Sequence, residues 1–478
     1  MRRTTTTIAL AAAFGLVAAA TVGMASARTR MSPAGLFFFF DSEVKSVSCT
    51  SPGNCGAGGY FQDRKGHLQA FVISQVRGVW GRPHALTGPA HLNTGGSAAV
   101  TSVSCSSPGN CGAGGFYQTG LNAWQVFVVS QIHGRWGTAI QVPGTSALNT
   151  WLQAGIGSVS CTSPGNCSAG GYVRPTSAIQ APFVVTEVNG RWNTAIEVPG
   201  AAALEAGGGA AAVNSVSCSS PGNCGAGGWY KDTPDQLQAF VVSQVAGIWG
   251  TATEVPGTAA LNTGGYAAVS AMSCPSDGSC GGVGWYSDAA TNAQRAFVVD
   301  ENSGTWGTAV EVPGITRFNQ LGVSALQAVS CRSAGNCAAG GWEAATQGLL
   351  VSESGGRWGN ARLVPGLGRL NAARDAKVTS VSCGSRGHCT AVGFYSDARG
   401  RVQGFQVSEV RGRWRTVGQI PGLTSLNTAG YAFVDSVSCA APGDCVVGGA
   451  YTAGRRHAVH AFVATERDGH WGKARPVF

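Results

Sequence analysis

Sixteen cysteines constrain this chain more than anything else in it. They come as eight pairs, each six positions apart: Cys49/Cys55, Cys105/Cys111, Cys161/Cys167, Cys218/Cys224, Cys274/Cys280, Cys331/Cys337, Cys383/Cys389 and Cys439/Cys445. The first members follow one another at 56, 56, 57, 56, 57, 52 and 56 residues. A fixed period of that size belongs to a repeat architecture, in which each unit buries its apolar surface on its neighbours. Ser-Pro-Gly-Asn, found between four of the pairs, is turn chemistry that brings the two ends together, so pairing within each unit is the simple reading. Zinc is the competing reading, and it needs four ligands drawn from two neighbouring units.

The N-terminus argues for disulfides. Met1-Arg2-Arg3 supplies a positive start, Ile8 to Val22 is an apolar run, and Ala25-Ser26-Ala27 has the small-x-small pattern of a cleavage site. Residues 1–27 therefore read as a secretory signal cleaved after Ala27, and the chain as a secreted one. A short segment, 28–35, precedes one repeat domain, 36–478. An even cysteine count in an exported chain implies disulfides. Arg2-Arg3 also opens twin-arginine signals, but Thr4 to Thr7 stand where apolar residues usually follow, which leaves the export route open. No apolar run beyond this segment approaches the roughly 20 residues needed to cross a bilayer.

The rest of the unit is as regular. A Ser precedes every first Cys, and an apolar residue such as Leu148 or Leu204 stands 13 or 14 positions earlier. A [Ser/Thr/Asp]-x-x-x-Gly-x-Trp motif ends at Trp80, Trp136, Trp192, Trp249, Trp306, Trp358, Trp414 and Trp471. Four short runs rich in Val, Phe and Tyr lie between turn signals; in the third unit they are 157–161, 169–173, 182–188 and 192–198. No window beyond the signal carries a 3.6-residue apolar stripe. Four strands per unit and eight units predict an all-β fold, an eight-bladed β-propeller of four-stranded blades with one local disulfide per blade. A ring also escapes the limit on a single core, which rarely grows past about 250–300 residues.

Thr186-Glu187-Val188-Asn189-Gly190-Arg191-Trp192 and Thr465-Glu466-Arg467-Asp468-Gly469-His470-Trp471 resemble the signature of sialidase-type Asp-box propellers. In that family a Ser-x-Asp-x-Gly-x-Thr-Trp turn joins the third and fourth strands. Here the turn is one residue shorter and lacks Asp at its third position. The repeats also resemble secreted repeat proteins of high-GC Gram-positive bacteria that carry Ser-Val-Ser-Cys and Gly-Asn-Cys units. Arginine outnumbers lysine 27 to 5, as suits a GC-rich genome. Neither resemblance brings a catalytic residue with it. The implied phase puts Ser-Val-Ser-Cys at the end of the innermost strand, with small serines lining a central channel. Disulfide turns and Gly-x-Trp turns then share one face. The loops joining second and third strands share the other with the inter-blade linkers, and being varied, they are where specificity is expected.

Several residues fall on that varied face. Trp124 and Trp151 break the repeat and are candidate ligand contacts. The recurrent tryptophans, and the aromatics Tyr60, Phe116, Tyr172, Trp229, Trp285, Trp342 and Phe394, read instead as packing. Asp232, Asp288 and Asp397 stand where a glycosidase acid and nucleophile would have to be, but nothing brings two of them to a defined spacing. No histidine set has metal-ligand spacing, apart from the isolated His457/His460 pair, and no phosphate loop or cofactor motif occurs. Metal and cofactors are expected to be none.

Charge supplies the last clue. Residues 361–478 carry 13 Arg and 2 Lys against 7 acids, a net +8, whereas residues 28–360 carry 15 basic and 16 acidic residues, a net −1. The excess puts Arg399, Arg401, Arg455 and Arg456 in varied-face loops, with Arg369 and Arg374 in the adjoining linker, while Arg411, Arg413 and Arg415 flank the Trp414 turn opposite. Arginine forks suit phosphate or carboxylate. The expected partner is an anionic polysaccharide or cell-wall glycopolymer; nucleic acid is disfavoured, since no aromatic platform interleaves with the charge. The reading is a monomeric secreted binding or scaffold module, with a sialidase-like glycoside hydrolase as the alternative.

Overall fold

The computed structural model describes residues 41–478 except 89–91, 206–208, 292, 319–321 and 345. The signal segment, its cleavage site after Ala27 and residues 28–40 lie outside the described residues. Eight antiparallel sheets follow one another along the chain, and each is built from contiguous sequence. In blade 3 the strands are Gly155–Ser163, Ala181–Val188 and, between them, Asn166–Val173. The fourth, outermost strand differs from the sequence expectation. It is two short pieces, Arg191–Trp192 and Ile196–Glu197, both paired with the third strand. The break follows from the hairpin turn, which places φ positive at both Asn189 and Gly190 and spends the first piece immediately after it. Glycine in the second turn position removes the steric cost of that conformation.

Every cysteine pair is closed within its blade: Cys49–Cys55, Cys105–Cys111, Cys161–Cys167, Cys218–Cys224, Cys274–Cys280, Cys331–Cys337, Cys383–Cys389 and Cys439–Cys445. No cysteine is free, and zinc is thereby excluded at these residues. The disulfide turns reach the surface, but the second cysteines Cys55, Cys111, Cys167, Cys224, Cys280, Cys337, Cys389 and Cys445 are buried, at 2–6% exposure. They lie under the preceding blade, whose second strand offers a glycine there in four seams and Ser168, Ala338, Thr390 or Val446 in the others. A methyl group on Gly56 would stand 3.2 Å from the Cys111 sulfur, and one on Gly225 and Gly281 would stand 3.0 and 3.2 Å from those of Cys280 and Cys337. Cys389 packs likewise with Ala338 and Leu350 of blade 6. The disulfides are seam packing, although Cys49, Cys105, Cys161, Cys218 and Cys439 remain partly exposed.

Eight apolar clusters fill the eight seams, and each draws residues from two blades. Val126 and Val128 of blade 2 pack with Ile156 and Val159 of blade 3, and Val446 and Val463 of blade 8 pack with Val44 and Val47 of blade 1. Stability is therefore distributed around the ring as a sum over neighbouring interfaces.

The serine that precedes each first cysteine has a different role from the channel lining expected for it. Its hydroxyl accepts the amide of the first cysteine of the next blade, at 2.9–3.0 Å in all eight seams. Inner strands of neighbouring blades are too splayed to pair backbone to backbone, so a short side chain bridges them. Ser46, Ser102, Ser215, Ser380 and Ser436 repeat the bridge two residues earlier. The two ends of the chain meet by the same device: Ser438 accepts the Cys49 amide at 2.9 Å and Ser436 the Val47 amide at 3.1 Å. Ser42 and Asp41 accept the Ala461 and Val459 amides, and Phe478 packs on Phe61 and Phe71. No strand is exchanged between blades. Ser438→Ala leaves the Cys49 amide without its acceptor and should cost about 1–3 kcal/mol. A denaturation series with no loss would remove the serine ring from the account of closure.

The two faces divide as the phase implies. In all eight blades the Gly-x-Trp turn donates the amide of its glycine to the disulfide turn, as Gly78 does to Gly53 at 2.8 Å. Linker asparagines tie the opposite face: Asn149 and Asn262 donate to the main chain of the third strands they pass, at 2.9 and 3.0 Å.

Candidate functional site

The recurrent tryptophans are inter-blade packing. Trp136, Trp192, Trp306 and Trp414 donate their indole N–H to Ser74, Ser130, Ser243 and Ser352 of the preceding blade at 3.0–3.2 Å. The aromatics after the second cysteine are half-buried beside the inner strands, except Trp342, which is buried. Phe394 meets Phe433 edge-on at 5.1 Å, and the Lys377 ammonium lies 5.0 Å from the Trp342 ring centroid.

Trp124 and Trp151 are brought together. Trp124 sits on a hairpin of blade 2, and its amide donates to the Leu152 carbonyl in the linker that follows, at 2.6 Å. Trp151 in that linker donates its own amide to the Arg174 carbonyl in the blade 3 loop at 2.9 Å. Three loops are thus pinned into one ledge. Trp124 lies half-buried against Phe116 at 5.2 Å, whereas Trp151 is 53% exposed, and Leu121, Leu152 and Ile179 in the same three loops are exposed too, Leu121 at 97%. An aromatic ring held out in water by ordered loops, beside other exposed apolar groups, is a binding feature.

Asp232, Asp288 and Asp397 lie in three different blades and each orders its own loop. Asp232 accepts from Gln238 at 3.0 Å. Asp288 accepts from Thr291 and the Ala290 amide and pairs with Arg295 at 3.4 Å. Asp397 accepts the Arg399 and Arg401 amides at 2.8 and 3.0 Å and pairs with the Arg401 guanidinium. Although its partial burial acts the other way, hydrogen bonds hold the Asp397 carboxyl below the usual carboxylate range. The Asp288 carboxyl is also held low, first by Thr291. These are hydrogen-bonded loop carboxylates, each tied within its own blade.

The arginine sector is dispersed across its loops. Arg399, Arg455, Arg369 and Arg374 are exposed, Arg401 is committed to Asp397, and Arg456 is exposed but has a partner.

One polar cluster escaped the sequence reading. Where the inner strands bulge, most blades carry Thr, Asn, Ser, Gln or Gly, but blade 1 has Lys45 and blade 8 has Asp435. Lys45 Nζ lies 2.9 Å from Glu43 and 3.9 Å from Asp435 across the closing seam. Burial, reinforced by Glu43, pushes the Asp435 carboxyl well above the ordinary range against the pull of Lys45. Comparing the units position by position would have found the pair as the charged exception. Among the described residues no group of three or more His, Cys, Asp or Glu could hold a metal ion.

Neither a protein-family model nor a curated protein matches the chain. Solved structures do. Sqt1 from Chaetomium thermophilum is 11% identical, with 90% of this chain and 96% of that one covered and a TM-score of 0.50. The β-propeller domain of the trilobed protease from Pyrococcus furiosus is 7% identical over 80% and 98% of the two chains, with a TM-score of 0.42. The fucose-specific lectin from Aleuria aurantia is 12% identical over 79% and 95%, with a TM-score of 0.34. At such identities the likeness is one of fold alone.

Proposed function

We propose that the protein is an exported binding module that holds an extracellular or cell-wall polysaccharide on its loop face. The observation that carries this reading is the Trp151 ledge, where three loops from two blades fix an exposed aromatic ring. Eight closed disulfides suit an oxidising compartment, and no helix among the described residues is long and apolar enough to cross a membrane. Trp151 stacks on a sugar face, Leu121 and Ile179 widen the apolar platform, and Arg399 and Arg455 add attraction for an acidic polymer.

On an array of cell-wall and acidic polysaccharides, Trp151→Ala should weaken binding by roughly 10-fold or more, the cost of truncating an aromatic anchor. Reversing Arg399, Arg401, Arg455 and Arg456 to Glu should remove the salt-dependent part. Trp151→Ala changes an exposed residue and should melt as the parent does, whereas the quadruple reversal also breaks the Arg401–Asp397 pair and should melt slightly lower. Binding that ignores Trp151 sinks the reading.

Glu43 and Asp435 favour a second reading, glycan hydrolysis, because the two carboxylates share Lys45 across the closing seam. Turnover of chromogenic glycosides that is lost in Asp435→Asn would establish it; no turnover leaves the binding module.

A further inference from the structure

The face opposite the proposed ligand ledge is more strongly basic than the sequence sectors implied. The eight Gly-x-Trp turns are each bonded to the disulfide turn of their own blade at 2.8–2.9 Å, so they share one face. Arg135, Arg191, Arg357 and Arg413 occupy the same turn position in four blades, and Arg77 and Arg411 a second one. All are exposed, and among the described residues none of them has an ion pair. The acids of this face are few: Asp444, Asp468 and Asp277, whose carboxylate is held by Ser219 and Ser220 at 2.5 and 2.7 Å.

The same turns hold aliphatic side chains out in water. Val79 is 70% exposed and Ile248 75%, with Val76, Ile132, Val188 and Val245 beside them on blades 1–4. Packing does not need these groups, since the indole below each turn already closes its seam. A purely electrostatic dock for a soluble polyanion leaves them unexplained. A turn face that sets Arg77, Arg135 and Arg191 beside exposed valine and isoleucine on blades 1–4 fits a surface that is anionic at its phosphates and apolar just beneath.

We propose that the turn face docks on an anionic lipid bilayer. Arginine forks take the headgroup phosphates, while the aliphatic tips enter the interface. The loop face, on the other side of the ring, then points away from the membrane and stays open to its ligand.

The test is co-sedimentation of the whole protein with vesicles of phosphatidylcholine, with and without phosphatidylglycerol. Binding should require phosphatidylglycerol and weaken as salt is raised. An arginine near an anionic surface contributes about 1 kcal/mol, so R411E/R413E/R415E should weaken partition by roughly 100-fold or more. V79S/I248S should weaken it by about 10-fold through lost apolar contact, and R399E/R455E on the loop face should leave it unchanged. Thermal melts of all three variants should match the parent, because every substituted residue is exposed. Absent binding to the anionic vesicles overturns the proposal, as does full binding by R411E/R413E/R415E. Vesicle binding untouched by V79S/I248S, together with equal capture on dextran sulfate, would show a polyanion site instead.

Discussion

Replacing Glu353 by Gln should stabilise the ring at neutral pH, and adding Glu466→Gln should reduce its dependence on pH further. The residue after the Ser, Thr or Asp of each Gly-x-Trp motif is Gln75, Gln131, Glu187, Gln244, Glu301, Glu353, Glu409 or Glu466. All eight are buried, at 1–5% exposure, and each faces the preceding blade. Where the neighbour is a hydroxyl the contact is satisfied: Gln131 donates to Ser74 at 3.0 Å, and Glu301 and Glu409 accept from Ser243 and Ser352 at 2.6 and 2.7 Å. Glu353 instead meets Asp300. Burial and then that second carboxylate push its carboxyl up to about 7, and one of its oxygens is buried without a partner. Glu466 reaches about 7 through burial and then Asp444, with His470 opposing, and likewise has an orphaned oxygen. A carboxyl raised in the folded state binds its proton more tightly there than in the unfolded chain. Its stabilising effect is therefore complete below the unfolded value, near 4.5, and is lost as pH rises through about 7. Each site should lose about 3 kcal/mol across that window. Glutamine keeps the shape, carries no charge, and already occupies three of the eight positions. Denaturation midpoints at about pH 5 and pH 8 should differ in the parent and differ less in the double variant, where Glu205 still titrates near 7. A parent that grows more stable with rising pH in this range would contradict the argument.

Blade number, disulfide pairing and the two faces were legible in the sequence because each repeats eight times in one register. Repetition shows that a residue is structural, but not which neighbour it meets. The serine before each cysteine was visible, yet its donor lies one blade, some 57 residues, further along. The Gln/Glu position also recurs in every unit, and the mixture of amide and carboxylate hid it. The ledge was half legible. Trp124 and Trp151 stood out as exceptions to the period, but only the bonds to Leu152 and Arg174 place them side by side. Lys45 and Asp435 are joined only by ring closure. The basic turn face was obscured for another reason: net charge was summed along the chain, whereas one turn position sampled blade by blade collects arginines from distant segments.

Gly228→Ala should be among the most damaging single substitutions available, although it adds one methyl group. The second strand carries glycine at the same place in every blade, at Gly59, Gly115, Gly171, Gly228, Gly284, Gly341, Gly393 and Gly449. The inner strand opposite is bulged in each blade, between Val213 and Ser215 in blade 4. The bulge swings a carbonyl across the sheet, so a Cβ on Gly228 would lie 1.9 Å from the Ala212 oxygen, and the other seven positions give 1.8–2.1 Å. The obstacle is main chain, which cannot turn aside as a side chain would. Relief requires the bulge to move, and that strand also carries Ser215 and Ser217, whose hydroxyls hold blade 5. The expected cost is about 3 kcal/mol or more. Gly368→Ala is the matched control: it lies in the helical turn Leu367–Leu370 with nothing within 4 Å of the added carbon. That change should be neutral or stabilise by up to about 1 kcal/mol through helix propensity. Hydrogen exchange should localise the Gly228→Ala damage to the inner strands of blades 4 and 5, since each seam depends on its own neighbours. Equal stability of the two alanine variants would mean that the bulge is soft, and that the recurrent glycine has some other cause.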